Sequence, residues 1–131
     1  MDLRHIGLSV LSKTQAVDMK TAQKNNLYTC PTGKIAYVAG VLICSPSASM
    51  AGGTDYDFGT GANADTWRQT VDLSDLTTAT TDFTFILGVD ETGYERMVAA
   101  DVFGVKVITG TTAACTATIY VIGMECDSSD T

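Results

Sequence analysis

The stretch KIAYVAGVLIC, from Lys34 to Cys44, decides the class of this fold. After Lys34 it carries no charge, and its side chains are β-branched, aromatic, aliphatic or small. Such residues suit a pleated, half-buried surface. Pro31-Thr32-Gly33 precedes it as a turn and the small-residue segment SPSASMAGG (45–53) follows it, so the stretch reads as a bounded strand. Strict alternation would place Ile35, Tyr37, Ala39, Val41 and Ile43 on one face, with Ala36, Val38, Gly40, Leu42 and Cys44 on the other. Both faces are apolar, although an antiparallel sheet commonly leaves one face wet. The strand is therefore expected to be central in its sheet or covered by a second copy of the chain.

Working outward, short strand signals alternate with turn signals. Ile6, Leu8 and Val10 alternate with Gly7 and Ser9. Thr14–Asn26 is the most polar stretch and reads as a short helix or an extended arm. Leu27–Cys30, Thr54–Gly61, Trp67–Leu73, Tyr94–Ala100, Val102–Thr109 and Cys115–Met124 read as strands, with VDETGY (89–94) as a turn in which Gly93 takes the left-handed position. In Asp82–Gly88 the alternation of Phe83, Phe85 and Leu87 is expected to point inward, and Gly110–Ala114 is expected to be the loop of a hairpin between the last two strands. The sum is an all-β chain: an antiparallel β-sandwich or jelly roll of eight or nine short strands. Residues 1–26 are expected to form a first strand and a short polar N-terminal arm, and 27–131 the sandwich, in a single domain. Its core is expected to include Ile35, Tyr37, Val41, Phe83, Phe85, Val105, Val107, Ile119 and Val121.

Composition agrees: in 131 residues, 45% are hydrophobic and 18% charged, a globular balance. The net charge of −7 is unevenly spread. Residues 1–34 hold Arg4, Lys13, Lys20, Lys24 and Lys34 against Asp2 and Asp18, while 35–131 hold Arg68, Arg96 and Lys106 against the remaining acids. An acidic body repels phosphate backbones, so nucleic acid is not an expected partner. No apolar run is long enough for a membrane span or a secretion signal, and the expected product is soluble and made in the cytoplasm.

Catalytic patterns are missing. His5 is the single histidine, no Gly-x-Ser-x-Gly elbow or phosphate loop is present, and most acids lie beside Thr, Ser or Gly where solvation keeps them ionised. No enzymatic activity and no cofactor are expected. The segment TDYDFGTGANADTW (54–67) sets Asp55, Asp57, Asn63 and Asp65 among glycines, which are oxygen ligands of the type calcium takes, but it fails the EF-hand spacing. Its favoured reading is a polar strand-turn-strand with the acids facing water. Tyr56, Phe58 and Trp67 could form an aromatic platform for a carbohydrate, against the plainer reading that a lone Trp sits in a core or interface.

Three phrases carry a resemblance. LYTCPTGK (27–34) is similar to the L-Y-T-V-P-A-G-K opening of small jelly-roll proteins encoded in bacteriophages and prophages, and PSASMAGGTDYDFG (46–59) and TATIYVIG (116–123) resemble their counterparts there. The likeness covers roughly Leu27 to Met124, and Cys30 stands where an aliphatic residue is usual. It implies a non-enzymatic virion component located in the virion. A capsid decoration (cement) protein that binds and stabilises the outer capsid surface comes first, and a receptor- or carbohydrate-binding part of a tail or head fibre is the alternative. It implies a homotrimer with the major capsid protein or another virion subunit as partner, and no site residues travel with it. From charge placement alone, Lys13, Lys20 and Lys24 would dock such a subunit on an acidic shell.

Cys30, Cys44, Cys115 and Cys126 include no Cys-x-x-Cys pair. They are expected to stay mostly reduced. Reductant should leave the melting temperature unchanged; a fall of many degrees would reveal a structural disulfide.

Overall fold

Strand pairing in this chain is nested. The computed structural model describes residues 7–88 and 95–130. Strand β1 (Ser9–Asp18) runs antiparallel to β9 (Thr116–Asp127), and β2 (Lys24–Thr29) to β8 (Val102–Thr109). Strand β3 (Lys34–Cys44) pairs with both β6 (Phe83–Leu87) and β7 (Glu95–Met97), and β4 (Asp55–Thr60) pairs with β5 (Arg68–Val71). The result is one long hairpin with β4–β5 at its tip. Further pairing of β9 with β3, and of β8 with β4, wraps that hairpin into two packed sheets. Their orders are β1-β9-β3-β6, with β7 also on β3, and β2-β8-β4-β5. This is the expected antiparallel sandwich, wound as a jelly roll, with nine strands and no α-helix among the described residues.

The core lies between the sheets. Trp67, Tyr56, Phe58 and Phe103 are its largest fully buried side chains. Trp67 meets Phe58 and Phe103 edge-on, with ring centroids 6.4 and 5.6 Å apart, the geometry that aromatic quadrupoles favour. Val41, Ile119, Val121, Val105 and Val107 close around them. Across the sandwich, the Tyr28 hydroxyl donates to Glu125 Oε2 at 2.6 Å and the Tyr56 hydroxyl to the Met19 carbonyl at 2.7 Å. Both phenols are pushed up from their ordinary pKa, first by burial, so they stay protonated donors.

A bulge reverses part of the expected sidedness. Between Val38 and Gly40 the register of β3 against β9 slips by one residue, and such a slip exchanges the two faces of a strand. Ala36, Val38, Val41 and Ile43 therefore enter the core, while Tyr37, Gly40, Leu42 and Cys44 turn outward. Opposed residues share a face. Phe83, Phe85 and Leu87, opposite Cys44, Leu42 and Gly40, consequently point outward and not into the core as expected. They are 66%, 43% and 46% exposed, and Ile86 is the buried member of that strand. Tyr37 is only half-buried; the other six expected core residues are buried.

Two further expectations change. Gly110–Ala114 does not close a hairpin, because β8 and β9 lie in different sheets and this loop crosses between them. The polar arm is not a separate arm: Thr14–Asp18 belongs to β1, paired with β9 at Thr14, Val17 and Asp18, and Lys24–Asn26 to β2, paired with β8 throughout. Strand β1 is an edge, and two bulges, with Ala16 in the left-handed region at φ 55°, break its regularity. The expected start at Ile6 and the turn at 89–94 lie outside the described residues.

Replacing Phe103 by Ala should cost about 3–5 kcal/mol, as for a large aromatic removed from a core. In dilute solution Phe85→Ala should cost about 1 kcal/mol or less, the range of a cross-strand surface pair. Urea denaturation of both variants followed by Trp67 fluorescence checks this; equal losses would contradict the outward placement of Phe85.

Candidate functional site

Neither set of candidate site residues forms a site. Tyr56, Phe58 and Trp67 are 0%, 0% and 1% exposed. The carbohydrate platform is thus replaced by a core cluster, because β4 alternates inward at Tyr56 and Phe58 and the Trp67 indole follows them into the interior. Lys13 and Lys24 stand on opposite faces of the sandwich. Lys13 pairs with Tyr120 on the outer face of the five-stranded sheet, its ammonium 5.7 Å from the ring centroid. Lys24 pairs with Lys106 on the outer face of the four-stranded sheet and donates to the Gly61 carbonyl at 2.7 Å. Lys20 lies in the loop joining them. A flat shell surface could not take all three, since β1 and β2 belong to different sheets.

The acids of the calcium-like segment are dispersed in the same way. Asp57 Oδ1 accepts the Thr70 amide at 2.9 Å, Asn63 Oδ1 accepts Lys106 Nζ at 3.1 Å, and the Asp65 carbonyl accepts Gln69 Nε2 at 3.0 Å. Asp55 Oδ1 is buried without a hydrogen-bond partner. Among the described residues no three His, Cys, Asp or Glu side chains converge as metal ligands would. His5 lies outside the described residues. All four cysteines are free thiols; burial pushes the Cys30 thiol up, which keeps it from acting as a nucleophilic thiolate.

The unusual surface is elsewhere. On the outer face of the five-stranded sheet, Val10, Tyr120, Ile122, Met124, Tyr37, Leu42, Phe83, Phe85 and Leu87 are neighbours by register. The outer face of the four-stranded sheet gives an internal comparison. There Lys24, Lys106, Asp57 and Thr29 face water, the usual polar-out pattern, with the exposed Ile108 and the partly buried Val102 as its apolar exceptions. One sheet obeys that pattern and the other does not. The apolar edge is held in place by polar ties: Arg68 Nη1 donates to the Leu87 carbonyl at 2.8 Å, and the Thr60 and Thr66 hydroxyls donate to Glu95 Oε1 at 2.9 and 2.8 Å. The ring of Phe85 lies over Gly40, where an added Cβ would meet its Cζ at 2.9 Å. Gly40 leaves room for that ring to lie flat on the sheet. Sequence reading missed this surface because it assigned Phe83 and Phe85 inward; the two-sided apolarity of Lys34–Cys44 was the signal for it.

At the rims, local hydrogen bonds hold two carboxyls below the ordinary range. Asp18 is lowered first by the Thr21 side chain and then by the Lys20 and Thr21 amides, and Asp72 first by the Ser74 hydroxyl. A lowered pKa gives stability that is present above the unfolded value near pH 4 and is lost as pH falls through the folded one. Asp18→Asn combined with Asp72→Asn should therefore flatten the acid limb of a melting-temperature profile below about pH 4; an unchanged limb would show that neither carboxyl is linked to folding.

Compared with protein-family models, curated proteins and solved structures, the chain matches none.

Proposed function

We propose that this chain is a non-enzymatic structural subunit of a virion, a capsid decoration protein that binds the outer capsid surface as a homotrimer and stabilises it. The observation that carries the reading is the apolar outer face of the five-stranded sheet, where Phe83, Phe85, Leu87 and Val10 are between 43% and 66% exposed. Contiguous apolar surface on a soluble domain marks a place where another surface belongs. The sequence phrases at 27–34, 46–59 and 116–123 supply the virion context, and they rest on sequence likeness alone. An assembly role needs no reacting group, which fits the Cys30 thiol and the Tyr28 and Tyr56 phenols, all held in their protonated forms. The receptor-binding alternative loses its support with the burial of Tyr56, Phe58 and Trp67.

Docking on a shell then draws on Lys13 or Lys20 separately and not on a three-lysine patch. The test is mass spectrometry of purified virus particles from cells carrying the gene, followed by re-addition of the protein to particles stripped of it. The expected result is a stoichiometric surface component whose return raises the temperature at which particles break. Absence from particles would overturn the virion role, and specific hits on a glycan array would favour the receptor-binding alternative.

A further inference from the structure

We infer that the outer face of the five-stranded sheet is covered by the same face of further copies of this chain. The inference deepens the assembly reading above and rests on it, by naming the partner of that surface. Size is the first argument. Counting about 200 Å² for a fully exposed aromatic and proportionately less for aliphatics, the exposed parts of Phe83, Phe85, Leu87 and Val10 with the partly buried Leu42, Tyr120, Ile122, Met124 and Tyr37 come to roughly 450–700 Å². That matches or exceeds the upper half of the about 300–600 Å² range for the largest patch on a typical monomer, and approaches the about 800 Å² per partner of a standard interface. Apolar area of this kind matches best to another apolar sheet face. The four-stranded sheet presents Lys24, Lys106 and Asp57 outward, so of the chain's two broad faces only this one supplies that match.

Charge is the second argument. Copies of a chain with net charge −7 repel each other over most of their surface. This face is the exception. Lys13 on β1 and Arg96 on β7 stand at its two edges, and among the described residues no acid on β9, β3 or β6 is presented between them. Asp18 lies beyond, at the end of β1, with its carboxylate bonded to the Lys20 and Thr21 amides. Two copies meeting here bring apolar side chains together at the centre. Lys13 and Arg96 lie toward the rim.

The chain carries its own reporters. Cys44 lies opposite Phe83 on this face and is half-buried, whereas Cys30 and Cys115 are buried in the sandwich. Light scattering of the intact chain at micromolar concentration should give a multiple of the 13.8 kDa chain mass. Alkylation of Cys44 should slow roughly tenfold or more between nanomolar and micromolar protein, as mass action requires, while Cys30 and Cys115 stay protected throughout. Phe83→Ser with Phe85→Ser should give a monomer with an unchanged far-UV spectrum and concentration-independent alkylation of Cys44. A monomer at micromolar concentration, or an oligomer whose Cys44 reacts at the same rate at both concentrations, would overturn the inference; the wild-type measurement stands even if the double variant fails to fold. Absence from virus particles of a chain that still assembles through this face would instead overturn the virion role and leave the inference standing.

Discussion

Because residues opposite each other in a sheet share a face, the bulge between Val38 and Gly40 sets the sidedness of the whole five-stranded layer. Downstream of it Val41 and Ile43 go inward, with Ile119 and Val121 opposite Ile43 and Val41 on β9. By the same rule Leu42 and Cys44 go outward, and β6, laddered to that part of β3, must send Phe83 and Phe85 with them. One inserted residue thus separates a packed interior from an apolar exterior. Without it, the Phe residues would compete with Trp67, Phe58 and Phe103 for one interior, and interiors already packed to crystal-like density do not accept such additions cheaply.

Polar contacts keep this arrangement from drifting. A strand's register is strongly specified where its two faces differ, one buried and one not, and both faces of β3 are apolar. Here the register is fixed from outside the strand, by Arg68 on the Leu87 carbonyl and by Thr60 and Thr66 on Glu95. The Lys34–Asp127 ion pair at the other end of β3 is half-exposed and adds little. Gly123 makes a different contribution: an added Cβ there would meet the Tyr37 carbonyl oxygen at 2.0 Å, so β9 can approach the bulged part of β3 only with glycine at that position.

Much of this was legible in the residues. Lys34–Cys44 and Val102–Thr109 are strands over the same bounds that their composition indicates, because turn residues punctuate both ends. Trp67 as a core residue also follows from sequence, since a small sandwich has few other places to put so large an apolar area. The direction of β6 was not legible. Period-two alternation says that Phe83, Phe85 and Leu87 share a face, not which face, and Thr84 and Ile86 on the other side are apolar enough to fill the inside. Nor could spacing show that Gly110–Ala114 crosses between sheets, because a short Gly/Thr/Ala loop serves a hairpin and a crossover equally well. The lysines misled for a related reason: nearness along the chain became separation across the sandwich once β1 and β2 entered different sheets.

Nested pairing also constrains the route by which the chain reaches this state. Among the described residues, only β4 and β5 are partners that are also neighbours in sequence; Ser9 finds its partner at Gly123 and Lys24 at Lys106. Ladders between such distant residues must overcome loop-closure entropy before they return any contact energy, and chains built this way fold slowly for their size. Strand β9, which sits between β1 and β3, is also synthesised after both of them and after β6. Until it arrives the five-stranded layer has no centre, and β3 and β6 present both their faces to water. The same apolar stripe that suits a finished assembly is therefore, during synthesis, the segment most in need of rapid burial, and crowding of nascent chains is a hazard this topology carries from the start.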